Sequence, residues 1–354
     1  MTPFPLHRFE QILQNLDLDL RGKLVLTEAA TGAYSVTALI SAASGAETRI
    51  LARDSAYGTA EEAYTEVETR AAELGCFNRI RRYDTRESIR FDIITNSGHL
   101  RPLDKGRLDL LKDTGLVALM YENWEFRESD LDSAYCLEKS IPVVGLNERH
   151  PDVDVFGFLG DMAAKLAFDS GRPLYRSNAL IFTNNDFGPW IAKRWTRFCE
   201  TVWVCGKNPE EYADIDGIRY VGDFPEPDLE AIDIPLDFVV YSAVPFIRRL
   251  AGKGIAGGFD PIRVPERHRR ALWLRFCGGM ETGDFDDAGI AYFPAAVKDG
   301  HMGVLPSHLG YEPVIRLQAG SLKAAQLHLL GETHYRGIPL ATPLPINRAS
   351  YAGG

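Results

Sequence analysis

The chain has 354 residues, enough at roughly 150 per domain for two domains with a sizeable core. With 45% apolar and 25% charged residues it has a globular composition. Lys and Arg number 39 against 49 Asp and Glu, a formal charge of −10, and no basic stripe interleaved with aromatics offsets it; this excludes a nucleic-acid backbone as partner and points to a small-molecule substrate.

No apolar run approaches the roughly 20 residues of a membrane span, and "MTPFPLHRFEQ" lacks a signal peptide's apolar stretch, so a cytoplasmic protein without a membrane partner is expected. Cys76, Cys136, Cys199, Cys205 and Cys277 are odd in number and never form C-x-x-C. They read as reduced thiols, neither a disulfide framework nor zinc ligands.

In chain order, "KLVLTEAA" (23–30) predicts a strand, "GAYSVTALISAAS" a helix ending at Gly45, and "TRILARD" a second strand, together a βαβ unit. A helix over "TAEEAYTEVETRAAELG" follows, then the strand "FDIITN", a short helix over "KGRLDLLK", the strand "GLVALMY", a helix near "DLDSAYCLEKS" and the strand "IPVVGLNE". After a long helix over "DVFGFLGDMAAKLAFDSG" the pattern restarts with "NALIFTN" as strand, "FGPWIAKRWTRFC" as helix and "TVWVCG" and "LDFVVYSAV" as strands, with one more strand within "RRALWLRFCG". Strands alternating with helices give α/β architecture with mostly parallel sheets. Two tandem doubly wound Rossmann-like domains are expected, over 1–155 and 176–335, joined by a connecting helix at 156–175 and followed by a Pro-rich C-terminal tail at 336–354.

Ligands of such sheets lie outside the carboxyl ends of the strands. There the first half is rich in polar groups: Asn96, Ser97, His99 and Arg101 follow "FDIIT", Tyr121, Glu122, Glu125 and Arg127 follow "GLVALM", and Asn147, Glu148, Arg149 and His150 follow "IPVVG". Singly, each suits a solvated turn. Jointly, a His near acids can act as an oriented general base, and Arg can grip a carboxylate or phosphate. His99 is the expected acid or base, with Glu125 or Glu122 orienting it, and His301 in the loop "GHMG" is a second catalytic candidate. Asn96, Ser97, Arg101, Arg127, Asn147, Glu148, His150 and Lys323 are the expected substrate contacts. The set His99, Glu122, Glu125, Glu148 and His150 lacks H-E-x-x-H or similar spacing, so no metal is assigned.

Two turns could receive a nucleotide. In "TEAATGAY" Thr31 and Gly32 lie between strand and helix, where backbone amides can meet a phosphate, and Arg53 and Asp54 end the next strand, where a ribose would lie. In the second half, "ALIFTNNDFGPWIAKRWTRFCETVWVCGKN" followed by "LDFVVYSAVP" resembles the cofactor domain of D-2-hydroxyacid dehydrogenases and adenosylhomocysteine hydrolases, members of the Rossmann-fold NAD(P)-binding superfamily. The resemblance implies that Asn184, Gly188 and Lys207 stand at cofactor-binding positions. The positions matching G-x-G-x-x-G read Thr183 to Gly188 and keep only the last glycine, which serves helix–strand packing. No acid follows the second strand, and Lys207 there would favour a phosphorylated ribose.

The resemblance implies an NAD(P)-dependent oxidoreductase that binds NAD or NADP and acts on a small polar or carboxylated substrate in an interdomain cleft; a homodimer is a separate expectation that does not rest on the resemblance. The alternatives are a transferase or hydrolase of an adenosyl compound such as S-adenosylmethionine, whose recognition needs no diphosphate cradle, and a non-catalytic nucleotide-binding protein.

Overall fold

The computed structural model describes residues 4–246, 248–298 and 300–344. It divides into two compact units, Met1–Val155 with Gly310–Gly354, and Phe156–Leu309.

In the first unit, β1 (Leu24–Glu28), β2 (Glu47–Leu51), β3 (Ile80–Arg82), β4 (Phe91–Thr95), β5 (Leu111–Ala118) and β6 (Val143–Leu146) form a parallel sheet in the order β3-β2-β1-β4-β5-β6. Its central strands are apolar because helices cover both faces, and all five residues of β4 are buried. Helix α1 (Leu6–Asn15) buries Phe9 and Ile12. Helix α2 (Val36–Ala43) is buried over Val36 to Ala42 and is crossed by the helix Tyr311–Leu329, with Thr37 Oγ1 donating to Gln318 Oε1 at 2.8 Å. Helix α3 (Ala60–Glu73) starts with a reciprocal capping box between Thr59 and Glu62.

The end of the chain departs from expectation. Helix Tyr311–Leu329 buries Val314, Ile315, Leu322 and Ala325 in the same core as Val25, Leu39 and Val144. Strand Ala341–Pro343 pairs antiparallel with β6, Ala341 opposite Leu146. Residues 310–344 therefore complete the first unit instead of extending a second domain to 335 or forming a free tail; of the expected tail, 345–354 lie outside the described residues. Proline fits here because an edge strand needs fewer ladder donors.

In the second unit, β7 (Asn178–Thr183), β8 (Thr201–Gly206), β9 (Ile218–Asp223), β10 (Phe238–Ser242) and the strands Leu272–Cys277 and Tyr292–Phe293 are also all parallel. Their order is β9-β8-β7-β10-(Leu272–Cys277)-(Tyr292–Phe293). Helix Leu159–Asp169, expected to connect the domains, buries Met162, Leu166 and Ala167 in this unit's core together with Ile181 and Trp195. The opposite face of the sheet is aromatic, Phe182 meeting Phe259 at 5.2 Å and Trp273 at 5.8 Å between ring centroids.

Each sheet thus has its first strand flanked by the second and the fourth. This order reverses direction beside the first strand, and the crevice at that reversal is where doubly wound sheets receive ligands.

Candidate functional site

In the first unit the reversal lies between β1 and β4. β1 ends on Glu28, a residue 6% exposed whose carboxylate accepts the His99 backbone N–H at 2.9 Å. Burial pushes this carboxyl up, against the opposing pull of the His99 and Gly98 amides and the Arg101 and Arg53 charges. Beneath it, Thr27, Thr95 and Ser97 join hydroxyls across the two strands at 2.8 and 2.9 Å. This chain explains why polar residues can sit at the buried ends of apolar strands: each hydroxyl is satisfied by the next.

His99 is half-buried, and its Nδ1 accepts the Arg53 backbone N–H at 2.8 Å. An accepting Nδ1 puts the ring proton of the neutral imidazole on Nε2. Burial, followed by the Arg53 charge, lowers the pKa of His99, so the ring is a neutral Nε2–H donor at pH 7. This corrects the expected arrangement. The partner that orients His99 is a backbone amide rather than Glu122 or Glu125, and an imidazole fixed this way offers a proton without being free to accept one at Nε2.

The next strand ends supply the rest. Asn96 Nδ2 donates to the Tyr121 hydroxyl at 2.5 Å, and that hydroxyl donates to Asp130 Oδ2 at 3.3 Å. Arg101 Nη1 pairs with the same Asp130 oxygen at 3.1 Å, its guanidinium carbon 5.9 Å from the Tyr121 ring centroid. Asn96 Oδ1 and Arg101 Nε are buried without a hydrogen-bond partner. Around β5 and β6, Glu122 accepts from Trp124 Nε1 at 2.6 Å, from the Glu148 amide at 3.0 Å and from Arg149 Nη1 at 2.9 Å. Glu125 is pushed up to about 7 by burial and then by the Glu122 charge, against Arg127 and Arg101. Buried Glu148 is also raised, first by desolvation and then by Glu125 and Glu122. Three carboxyls therefore share one wall. Among the described residues no group of three or more His, Cys, Asp or Glu is placed to hold a metal ion.

Other expected contacts lie elsewhere. Asn147 Nδ2 donates to Pro339 O at 2.8 Å and its Oδ1 receives the Arg149 amide at 3.1 Å. His150 is 1% exposed, with Nε2 against Tyr335 O at 3.0 Å and Nδ1 accepting from the Asp152 amide at 3.2 Å. Both residues hold the loop after β6 to the hairpin that precedes strand Ala341–Pro343. Lys323 is buried on helix Tyr311–Leu329, where Nζ donates to Asp17 O at 2.8 Å and Gln326 Oε1 at 3.3 Å; it is a structural cation. His301 occupies a turn of the second unit, its amide donating to Lys298 O at 3.0 Å. Arg127 is exposed beside Glu125. Sequence reasoning does not single out Glu28 or Asp130; the signal for Glu28 is a single carboxylate closing the otherwise apolar "LVLT".

No protein-family model and no curated protein matches this sequence. Solved structures do resemble it. A dipicolinate synthase from Bacillus subtilis is 12% identical over 89% of this chain and 99% of its own, with a TM-score of 0.59. The dipicolinate synthase from Bacillus halodurans is 9% identical over 88% and 98%, with a TM-score of 0.53. An oxidoreductase from Ralstonia solanacearum named after D-3-phosphoglycerate dehydrogenase is 14% identical over 90% and 96%, with a TM-score of 0.50. The fold is of the Rossmann type.

A Rossmann fold raises the question of whether either turn fits a dinucleotide. In the second unit the turn is filled by its own side chains. Asn185 Oδ1 accepts the Phe187 amide at 3.1 Å, which occupies the start of helix Phe187–Trp195 where a diphosphate would bind. Asn184 is tied to Val244 through both amide atoms, at 2.7 and 2.8 Å. A Cβ on Gly188 would meet the Tyr212 hydroxyl and, at 2.6 Å, the Thr183 methyl, so this glycine serves packing. Asp186 and Lys207 are exposed. Asn184, Asn185 and Gly188 are thus engaged within the turn itself.

The first turn has more open space. Gly32 has φ +63°, which favours glycine, and open space where a Cβ would stand. Its amide already holds an anion, donating to the Glu66 carboxylate at 3.1 Å. Thr31 Oγ1 fixes the turn to Tyr57 O at 3.2 Å, and Arg53 brings a guanidinium to the same edge. Asp54 instead caps α3 through the Ala60 amide at 2.8 Å.

Proposed function

We propose that this protein is an NAD(P)-dependent oxidoreductase acting on a small polar or carboxylated substrate, with the coenzyme held at the first unit's Thr31–Gly32 turn and Arg53. The observation that carries the reading is the left-handed Gly32 turn, open where a Cβ would stand, at the reversal point of a β3-β2-β1-β4-β5-β6 sheet. The structural relatives, one of them named as a dehydrogenase, are in keeping with it.

When bound, a nicotinamide coenzyme supplies hydride exchange. The chain's own groups would do the rest. His99, fixed by the Arg53 amide, presents Nε2–H to a substrate oxygen and polarises it. Arg101, with Nε unpartnered, anchors the substrate's carboxylate. Glu125, ionising near neutrality, holds or releases the exchanged proton. Cytoplasmic action and a homodimeric state belong to the same proposal; among the described residues no helix is long and apolar enough to cross a membrane.

Calorimetric titration of the purified protein with NAD, NADP and S-adenosylmethionine tests the reading. Binding of either nicotinamide coenzyme supports it. Binding of only the adenosyl compound would favour the transferase or hydrolase alternative, and binding of none at millimolar concentration rejects a nucleotide site.

A further inference from the structure

The turn after β4 is closed from two sides by charged groups at the ends of β1 and β2. From β1, Glu28 takes the His99 amide at 2.9 Å, and the Gly98 amide adds a second pull on the same carboxylate. After β2, Arg53 Nη2 donates to Gly98 O at 3.2 Å and Arg101 O at 2.8 Å, while the Arg53 amide meets His99 Nδ1 at 2.8 Å. Within the turn, the Leu100 and Arg101 amides return to Ser97 O at 3.0 and 3.2 Å. Donors of this turn thus face an anion and its carbonyls face a cation.

A carboxylate at so buried a position costs free energy that an apolar side chain would not. Burial disfavours the charged form of Glu28, and the amides of His99 and Gly98 with the charges of Arg101 and Arg53 oppose that. What the carboxylate does, and an apolar side chain could not, is fix consecutive peptide groups. Gly98 makes room for it, since a Cβ there would stand 3.3 Å from Glu28 Oε2. The amide and the ring of His99 hang from one Cα, so the acceptor that fixes the amide also fixes where the ring meets Arg53. Burial and the Arg53 charge, which lower the His99 pKa, both depend on the turn being closed in this way.

We infer that Glu28 is a positioning residue for His99: its carboxylate holds the turn where the Arg53 amide reaches Nδ1, and so keeps the ring proton on Nε2. This inference rests on the reading of His99 as a hydrogen-bond donor proposed above and adds the group that sets its orientation. A direct effect of charge would have the opposite sign from a positioning effect. An anion beside an imidazole raises its pKa, so removing the anion alone would lower the value further, whereas releasing the ring from the turn returns it toward 6.5.

The test is nitrogen NMR of the histidine rings in the full-length chain without coenzyme, for the wild type, Glu28→Ala and Glu28→Asp. Signals missing from His99→Gln identify His99 among the eight histidines. The wild type should show a scalar coupling across the Arg53 N–H···Nδ1 hydrogen bond and a ring pKa below 6.5. In Glu28→Ala the coupling should be lost and the pKa should rise toward 6.5. Circular dichroism confirms folding, and Glu28→Asp, which keeps the charge but withdraws it by one methylene, decides by the same loss where the alanine variant does not fold. A coupling retained in the folded variant overturns the inference whichever way the pKa moves, down if Glu28 acts by charge and up if it acts by burial alone. A wild type without the coupling overturns the donor reading as well. None of these outcomes depends on the coenzyme site, because no coenzyme is added.

Discussion

Replacing Glu125 by Gln should make the protein more stable at alkaline pH and flatten the pH dependence of its unfolding. Glu125 lies in the helical turn Asn123–Glu125, half-buried, with Glu122 and Glu148 as acidic neighbours and Arg127 and Arg101 opposing them. Its carboxyl is raised from 4.5 to about 7. A carboxyl whose pKa is higher in the folded state binds its proton more tightly there, so its contribution is fully present below about pH 4.5 and is lost as pH rises through 7. For a fully desolvated group this interval corresponds to roughly 3 kcal/mol; partial exposure and the two arginines reduce it to about 1–2 kcal/mol. Glutamine keeps the shape and never ionises. Urea unfolding of both proteins at pH 5, 6, 7 and 8 should therefore give nearly equal stabilities at pH 5 and a variant ahead by about 1 kcal/mol at pH 8, with unchanged m. Comparing the two proteins cancels other titrating groups, such as His99, which acts in the opposite direction. Stability curves that run parallel from pH 5 to 8 would refute the reasoning.

His99→Ala should lower turnover by roughly 10²–10³ with little change in melting temperature, the loss expected for a missing transition-state donor; an active but unstable variant would assign His99 to the turn alone. Because the His99 pKa is lowered, activity should show no histidine ionisation between pH 7 and 9, and the step assigned to His99 should lie below 6.5, apart from the Glu125 step near 7; pH–rate profiles of the wild type and Glu125→Gln check both. Gly32→Ala should cost about 1 kcal/mol through its left-handed conformation and weaken coenzyme binding, read by thermal unfolding and calorimetry. Gly188→Ala should destabilise by roughly 1–3 kcal/mol through overpacking against Tyr212 and Thr183 without changing coenzyme affinity per folded molecule; a matching loss of affinity would return the coenzyme to the second unit.

Much of the fold was legible because burial on both faces leaves an unmistakable apolar run. "FDIIT", "LIFT" and "TVWVCG" are strands whose every residue is buried except at entry. β3, "IRR", buries only its isoleucine, and β9, "IRYVGD", alternates weakly, because edge strands meet solvent along one side and need fewer apolar residues. The return of residues 310–344 to the first unit was hidden for a related reason. Helix Tyr311–Leu329 buries residues around most of its circumference, which marks an internal helix without saying which sheet it covers, and Pro339 and Pro343 made an edge strand look like a tail.

The candidate site was legible as a set of residue types at strand ends, but not as a set of available atoms. Of the polar groups after β4, β5 and β6, Asn147 and His150 share residue type and position with Asn96 and His99, yet both ends of their side chains are taken by backbone groups. Asn96 and Arg101 each keep one buried polar atom without a partner. Leaving such an atom unpaired costs about 1–3 kcal/mol, a cost that a ligand supplying the missing partner would offset. The same comparison describes the two nucleotide turns. Asn185 spends its carbonyl on the amide that a phosphate would need, whereas Gly32 offers its amide to an outside carboxylate. Motif spacing ranks both turns as degraded fingerprints. The partner of each amide differs in origin, local for Asn185 and tertiary for Glu66, 34 residues from Gly32 and beyond the reach of any local pattern.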